Sequence, residues 1–304
     1  MHRSGVIGLG QIGAGVSTCL ARAGLLEAVY DVRPDAAGRL EGVPPVLGSP
    51  AKLASCCDVI LLAVISAQQV LDVLTGPSGI VSAARPGLNI VLLSTVSLSD
   101  LEVVRQTTDA ASIGLIDCGV TGGPSAAANN GLICFVGAEA DRLTEVLPVL
   151  DGFAQQVVHM GGPGSGMAAK IARNVIVYNA WRAGYEGAQL AAAAGINVVK
   201  FAQAIEASSV GGPTIWLTRP DPATDGDELR LREATLGLVQ KDLAAALELG
   251  GALGIDLPMA TLSRQSARAI MGIDMFEPSG DGIAYAGKSG SANPAISATP
   301  IKRT

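Results

Sequence analysis

The segment Gly8-Leu9-Gly10-Gln11-Ile12-Gly13 has the residue types and spacing of a loop that holds phosphate groups. It follows an apolar stretch and precedes a helical pattern, which is the context that this glycine spacing requires. The first glycine permits a tight turn, the second lets a pyrophosphate approach the backbone, and the third allows close packing of helix on strand. The helix that begins here also offers free N–H groups to an anion. We therefore expect dinucleotide binding by Gly8, Gly10, Gln11, Ile12 and Gly13.

Asp31 lies 18 residues after Gly13, at the end of a second predicted strand. At that position a carboxylate can accept hydrogen bonds from the adenosine ribose, which favours NAD, because a 2′-phosphate would meet a like charge. Arg33 leaves NADP open, since its guanidinium could turn towards a 2′-phosphate. The structural alternative is a simple glycine turn with a solvated Asp–Arg pair.

Lys170 has a side chain that could transfer a proton. With Asn174, Tyr178 and Trp181 it recurs at spacings of four, four and three residues, which places all four on one helix face. Partial burial would lower the pKa of the amine, and Asn174, one turn away, could hydrogen-bond the reacting oxygen or orient the ammonium. Periodicity alone does not separate this hypothesis from a lysine whose stem snorkels out of an apolar helix.

The first 160 residues alternate short apolar runs with helical patterns, which predicts a parallel sheet covered on both faces. A helix is predicted over Ile12–Ala23, and Ser49 before Pro50 predicts a capped short helix to about Cys57. The predicted strands are Ser4–Gly8, Ala28–Val32, Val59–Val64, Ile90–Ser94, Gly114–Cys118, Leu132–Gly137 and Gln156–His159.

Ala63, Val64 and Thr95 come at the ends of the third and fourth predicted strands. Doubly wound sheets bind their ligands at the carboxyl edge of the strands. We therefore expect these three residues to line the ribose next to the nicotinamide of a bound dinucleotide.

Strand patterns stop after Gly161-Gly162-Pro163-Gly164, and the rest of the chain is rich in alanine and helical in pattern. The predicted helices are Gly166–Ala194, Asn197–Ser208, Leu229–Leu253 and Pro258–Met271. The sequence thus predicts a dinucleotide-binding domain over residues 1–162, an all-helical domain over 163–286 and a flexible tail over 287–304.

The composition excludes several classes of partner. The net charge is −6 without a lysine or arginine cluster, and aromatic residues make up 3%, which argues against nucleic acid and anionic membranes. The longest apolar run, Val59–Ile65, is too short to cross a bilayer, and the chain passes from Met1 directly into a strand pattern. We therefore expect a cytoplasmic protein. The two histidines are far apart, and the five cysteines lack zinc-ligand spacing, so we expect inert core thiols and no metal site.

Four segments occur in an order that resembles the β-hydroxyacid dehydrogenase family, which includes 3-hydroxyisobutyrate dehydrogenase and is related to 6-phosphogluconate dehydrogenase. The match runs from about Val6 to Leu257. Its segments are the glycine loop, Ile116-Asp117-Cys118-Gly119-Val120-Thr121-Gly122-Gly123, Gly164-Ser165-Gly166-Met167-Ala168-Ala169-Lys170-Ile171-Ala172-Arg173-Asn174, and Lys241-Asp242-Leu243.

This resemblance implies a Rossmann-type doubly wound sheet, a long connecting helix and an all-α C-terminal domain. It also implies hydride transfer between NAD, or NADP, and a short 3-hydroxy acid or its semialdehyde, in a homodimer or homotetramer. Lys170 would be the general acid and base, assisted by Asn174. The substrate is expected to be a small anion held by Thr121, Gly122, Gly123 and Lys241, with Lys241 also reaching the nicotinamide.

The chain departs from the family pattern at three places. Thr121 replaces serine and keeps a hydroxyl group. Cys118-Gly119 replaces Ala-Pro, which we expect to loosen the loop entering the substrate site. Arg173 replaces asparagine, so the substrate could carry a second anionic group such as a phosphonate, a sulfonate or a second carboxylate. The alternative for Arg173 is a surface position.

The sequence leaves two alternative functions open. Imine reductases share this architecture but generally lack the catalytic lysine, so Lys170 argues against that activity. A dinucleotide-binding sensor without catalysis is the other alternative. It is disfavoured by the joint presence of the glycine loop, Asp31, Lys170, Asn174 and Lys241.

Overall fold

A computed structural model describes residues 3–208 and, with gaps, residues 229–273. Its sheet has seven strands in the order β2-β1-β3-β4-β5-β6-β7. The strands are β1 (Ser4–Ile7), β2 (Leu26–Tyr30), β3 (Val59–Leu62), β4 (Asn89–Leu92), β5 (Gly114–Thr121), β6 (Leu132–Gly137) and β7 (Ala154–Gly161). All seven predicted strands are confirmed.

Helices cover both faces of this sheet, as expected for a doubly wound fold. Because side chains alternate along a strand, Val6 joins an apolar cluster on one face and Ile7 joins a second cluster on the other. The helices up to the last strand are α1 (Gln11–Arg22), α2 (Pro50–Cys56), α3 (Ala67–Thr75), α4 (Leu98–Ala110), α5 (Gly123–Ala128) and α6 (Ala140–Leu150), with a short 3-10 helix over Ile80–Ala83. The predicted cap of α2 is confirmed, because the Ser49 Oγ accepts a hydrogen bond from Lys52 N.

The prediction of an all-parallel sheet is wrong at one strand pair. Strands β1 to β5 are parallel to one another. Strand β6 is antiparallel to β5, and β7 is parallel to β6. The reason is the length of the connection, because only residues 122–131 separate β5 from β6. A parallel crossover requires a dozen residues or more, so this stretch permits only a reversal of direction.

Among the described residues after β7, the structure has the helices α7 (Ser165–Ala193), α8 (Val198–Ser208), α9 (Pro258–Gln265) and α10 (Ala267–Ile270). The single helix predicted over Pro258–Met271 is therefore interrupted at Ser266. The buried Glu186 carboxylate accepts hydrogen bonds from the backbone N–H groups of Met259 and Ala260 and so caps the start of α9. Of the 25 residues in the helix predicted over Leu229–Leu253, 13 are described and each of them is helical, and the other 12 lie outside the described residues.

The described chain divides into two compact units within α7, between Asn174 and Val175. The domain bounds 1–162 and 163–286 stay a prediction, and the predicted tail over 287–304 lies outside the described residues. None of the helices in the described part of the chain combines the length and the apolar character needed to span a membrane.

Candidate active site

The three glycines of the loop after β1 differ in what surrounds them. Gly8 has a φ of +90°, and a Cβ there would lie 2.6 Å from the Ala63 carbonyl oxygen. A Cβ on Gly13 would overlap the Gly8 carbonyl oxygen, so α1 packs against the turn only with glycine at that position. A Cβ on Gly10 would meet no atom of another part of the chain within 4 Å, and no side chain caps the start of α1. This geometry suits a pyrophosphate, because the backbone is open where the phosphates would approach.

A cleft of about 380 Å³ opens beside this loop. Two large apolar side chains at its rim, Val32 and Ile65, are 85% and 89% exposed, which suits a flat ring such as adenine. Neither residue is predicted from the sequence as a site residue, because the pattern does not distinguish an apolar side chain at the end of a strand from a core residue. The cleft is lined by Ile7, Gly8, Gly10, Tyr30, Asp31, Val32, Arg33, Ala63, Val64, Ile65, Gln69, Asp72 and Val73.

Asp31 is tied both to the glycine loop and to Arg33. Its Oδ2 accepts a hydrogen bond of 2.7 Å from Leu9 N, and its Oδ1 accepts from Arg33 N and Arg33 Nε at 2.9 and 3.0 Å. Burial would raise the pKa of Asp31, but the hydrogen bonds from Arg33 and Leu9 outweigh it, and the pKa lies below its ordinary value. The carboxylate therefore holds the loop in place while the exposed guanidinium covers it.

We expect Arg33→Ala to shift cofactor preference towards NAD. Removing the guanidinium leaves Asp31 free to accept from a ribose hydroxyl and deprives a 2′-phosphate of its cation, so the KM for NADP should rise about 10-fold relative to that for NAD. Steady-state kinetics with both cofactors measure the ratio. Arg39→Ala, which removes an exposed charge outside the cleft, is the matched control. An equal loss with both cofactors would contradict the assignment.

Ala63, Val64 and Thr95 all follow strands that end at the edge where the glycine loop lies. Ala63 N donates to Ile7 O at 2.8 Å, and the Ser94 Oγ donates to Val64 O at 2.7 Å, so the ends of three neighbouring strands are joined. Ala63 and Val64 line the cleft beside the loop. Thr95 is exposed farther along the same edge. Their contact with a ribose stays a prediction.

Lys170 lies in the second turn of α7, which runs along β5. Both oxygens of Asp117 accept hydrogen bonds from the start of this helix, from Gly164 N and Met167 N, each at 2.7 Å. Two residues farther along the strand, a Cβ on Gly119 would overlap the Lys170 Cβ and lie 2.9 Å from its Cγ. Helix and strand are thus in backbone contact beside the candidate catalytic amine.

The position of Gly119 shows that the expected loosening of the loop at Cys118-Gly119 is wrong. The Cys118-Gly119 pair does not loosen a loop, because Gly119 lies inside β5 and pairs with Phe135 of β6. Side chains alternate along a strand, so Asp117, Gly119 and Thr121 share the face that α7 covers. Two strand residues advance about 6.7 Å and four helical residues about 6 Å, so Thr121 should be level with Asn174. We therefore expect Lys170, Asn174 and Thr121 to lie on one side of β5.

The electrostatics around Lys170 favour its neutral form. Burial lowers the pKa of the half-buried amine, and the Arg173 guanidinium lowers it further. Arg173 is itself half-buried, and its Nη1 donates to the Asn174 Oδ1 at 3.3 Å. Because Oδ1 is engaged, the amide of Asn174 has its NH2 group available as a donor. A larger fraction of amine at neutral pH suits a group that must accept a proton.

Thr121, Gly122 and Gly123 form the turn from β5 into α5. Gly122 and Gly123 have φ values of +128° and +75°, which only glycine adopts readily. A Cβ on Gly122 would lie 2.5 Å from the Ala126 Cβ, whereas a Cβ on Gly123 would meet no other part of the chain within 4 Å. Packing therefore accounts for the first glycine, and the second leaves open space beside the threonine. A carboxylate held at this turn stays a prediction.

Three predicted features fall outside this description. Lys241 lies outside the described residues, as do the side chains of Tyr178 and Trp181.

A larger cavity of about 640 Å³ lies between α4 and the start of α7, away from the glycine loop. We do not assign it to the cofactor, because Gly8, Gly10 and Asp31 line the smaller cleft and not this one.

Comparison with known families matches this arrangement over nearly the whole chain. A family model described as the NAD binding domain of 6-phosphogluconate dehydrogenase matches residues 3–162. A second, described as NAD-binding of NADP-dependent 3-hydroxyisobutyrate dehydrogenase, matches residues 164–274. The chain belongs to the β-hydroxyacid dehydrogenase family. It is an NAD(P)-dependent dehydrogenase of small hydroxy acids, acting on a CH–OH group.

Individual members of the β-hydroxyacid dehydrogenase family agree with this. An uncharacterized oxidoreductase of Mycobacterium tuberculosis is 32% identical over 279 residues, which cover 89% of this chain and 94% of the relative. L-threonate dehydrogenase of Escherichia coli is 28% identical over 260 residues, covering 84% and 85%. The crystal structure of an oxidoreductase from Mycobacterium avium superposes with a TM-score of 0.81 at 31% identity, covering 90% of this chain and 99% of that one.

The imine reductase likeness is a likeness of fold. An imine reductase from Pseudomonas has a TM-score of 0.69 at 18% identity, covering 89% of this chain and 95% of that one. At this identity the similarity shows that the two proteins share an architecture and carries no information on the reaction.

Proposed function

We propose that this dehydrogenase interconverts a short 3-hydroxy acid and the corresponding semialdehyde, with Lys170 as the proton-transfer residue. The observation that carries the proposal is the position of Lys170. The Cβ and Cγ of its half-buried side chain lie beside Gly119 of β5, near the carboxyl edge where the glycine loop and the cleft lie, and the pKa of its amine is lowered. Thr121 shares the strand face of Gly119, and from the rise of the helix we expect Asn174 to lie beside it.

Each residue at the site has a distinct task in this proposal. The bound nicotinamide supplies the hydride acceptor for oxidation and the hydride donor for reduction. The Lys170 Nζ takes the hydroxyl proton during oxidation and returns it to the carbonyl oxygen during reduction. The NH2 group of Asn174 donates a hydrogen bond to the same oxygen. The Thr121 hydroxyl and the N–H groups of Gly122 and Gly123 hold the carboxylate.

A substrate panel tests this function. Oxidation of L-threonate, L-serine, 3-hydroxyisobutyrate and 2-(hydroxymethyl)glutarate, which the names of relatives suggest, is followed by the absorbance of the reduced nicotinamide. The panel is run with NAD and with NADP. We expect turnover of at least one 3-hydroxy acid. Reduction of cyclic imines without oxidation of any hydroxy acid would contradict the proposal and favour the imine reductase alternative.

Arg173 extends the proposal to substrates with a second anionic group. Its guanidinium lies one turn from Lys170 and hydrogen-bonds Asn174, so it can contact an anion held between these residues. We expect Arg173→Ala to lower kcat/KM about 10-fold more for di-anionic than for mono-anionic substrates. The variant should also raise the pKa of Lys170, because it removes a nearby cation. The rise of oxidation rate with pH, which follows the free amine, should then move to higher pH.

Arg173→Lys separates these two roles. It keeps the positive charge near Lys170 and loses the forked geometry that binds two oxygens, so the pH profile should stay while di-anionic substrates lose rate. Equal losses on mono-anionic and di-anionic substrates in Arg173→Ala would remove the second anion from the proposal.

Assembly and location are part of the same proposal. A homodimer or homotetramer and a cytoplasmic location are expected from the sequence. Light scattering coupled to size-exclusion chromatography measures the assembly, and a monomeric active enzyme would contradict that expectation.

A further inference from the structure

The start of α7 is held by a buried carboxylate. Asp117 is 2% exposed, and its two oxygens accept hydrogen bonds from Gly164 N and Met167 N. The first N–H groups of a helix have no partner within it, so this side chain from β5 serves as its N-cap. Burial raises the pKa of Asp117, while the backbone N–H groups act in the opposite direction. A charge this deeply buried is retained at a cost that its hydrogen bonds must offset.

Glycines on the helix and on the sheet allow α7 to pack closely against the strands. A Cβ on Gly166 would overlap the Phe135 carbonyl oxygen of β6, and a Cβ on Gly137 would lie 2.5 Å from the Asp117 Oδ1. The first turn of α7 therefore lies directly on the backbone of β5 and β6. It cannot slide along the strands without breaking the bonds to Asp117.

The next contact along the same strand falls on Lys170 itself. Asp117 and Gly119 are two residues apart and so lie on one face of β5. Gly119 has no side chain, and the space that a Cβ would fill is occupied by the Lys170 Cβ, with the Gly166 carbonyl oxygen 3.1 Å away. The aliphatic stem of the lysine is thereby pressed against the strand, which limits its rotamers and keeps the amine half-buried.

We propose that Asp117 and Gly119 are positioning residues that seat the first two turns of α7 on β5 and so fix the depth and direction of the Lys170 amine. The inference rests on the proposed role of Lys170 in proton transfer. Neither residue needs to touch substrate or cofactor for this. Asp117 holds the start of α7 in place, and the close approach of Gly119 leaves the side chain of Lys170 little room to rotate.

Asp117→Asn tests the cap. The amide keeps the size of the side chain but can accept with one oxygen only, and its NH2 group then faces a backbone N–H donor. We expect kcat to fall about 10- to 100-fold, as for a misplacement of about 1 Å, with an unchanged KM for NAD(P). The amine gains water, so its pKa should rise and the pH dependence of oxidation should move to higher pH. Asp58→Asn, which removes a carboxylate paired with Arg3 and Arg85 elsewhere in the same unit, is the matched control.

Gly119→Ala tests the close approach independently and keeps the inference testable if the Asp117 variant does not fold. The added methyl group displaces the stem of Lys170, so kcat should fall with the same shift of the pH profile. Gly162→Ala, whose added Cβ would meet no other part of the chain within 4 Å, should leave kcat and the pH profile unchanged.

A double-mutant cycle separates positioning from a general structural role. In a Lys170→Ala background, Asp117→Asn should cause no further loss of kcat, because there is no amine left to misplace. If Lys170→Ala is inactive but Asp117→Asn and Gly119→Ala keep the kcat and pH profile of the parent, the inference fails and the proposed function stands. If Lys170→Ala itself keeps full activity, the proposed function fails.

Discussion

Lys170→Met is expected to lower kcat about 100- to 10,000-fold in both directions, the range that a positioned proton-transfer group contributes. Methionine has a similar unbranched stem, so the contact with Gly119 and the packing of α7 on β5 should be kept. The Kd for NAD(P), measured by nicotinamide fluorescence or calorimetry, should change little because the glycine loop is untouched. The variant thus separates chemistry from cofactor binding.

Two controls give this result its meaning. Lys52→Met replaces an exposed lysine on α2 and should leave kcat unchanged. In Lys170→Ala, small primary amines in solution should restore part of the rate, because they can occupy the space of the missing amine. Parent-like kcat in Lys170→Met with a folded, cofactor-binding protein would exclude proton transfer by this residue.

Gly10→Ala is expected to weaken NAD(P) binding without destabilising the fold. Its φ is −76°, which any residue adopts, and a Cβ there meets no protein atom within 4 Å. The methyl group would instead meet the pyrophosphate. Overpacking of this kind costs about 1–3 kcal/mol, which corresponds to a rise in Kd of roughly 5- to 150-fold. Thermal unfolding without cofactor should match the parent, and the stabilisation added by NAD(P) should shrink.

Gly13→Ala is the contrasting substitution in the same loop. The same methyl group would overlap the Gly8 carbonyl oxygen and crowd Ala63, so the folded state itself should lose stability. If Gly10→Ala bound NAD(P) as tightly as the parent does, the pyrophosphate would have to lie elsewhere.

Much of the fold could be predicted because its signals are local. The seven strands are short apolar runs flanked by turn residues, and each predicted strand matches an observed one within three residues at either end. The direction of β6 was missed because apolar periodicity does not record strand direction. The usable signal was the connection of residues 122–131, which is too short for a parallel crossover.

The site was predictable by residue type but not by environment. The glycine loop and Lys170 carry recognisable spacings, whereas the capping role of Asp117 depends on a helix 47 residues farther along the chain. Gly119 shows the same limit, since its contact with Lys170 exists only once β5 and α7 are packed. The sequence suggests the pairing of Asp31 with Arg33, but it gives no signal for the hydrogen bond from Leu9 N that ties Asp31 to the glycine loop.

The antiparallel direction of β6 determines where α7 begins and therefore where the amine of Lys170 lies. Because β7 is parallel to β6, it runs back to Gly161, which is level with Gly137 and Asp117, and α7 then runs beside β5 from Asp117 towards Thr121. Had β6 and β7 run parallel to β5, β7 would have ended level with Thr121 rather than with Asp117, and the start of α7 would not meet the carboxylate that caps it. We therefore expect a longer insertion between β5 and β6 that let β6 pair in parallel to inactivate the enzyme, although every motif residue would still be present.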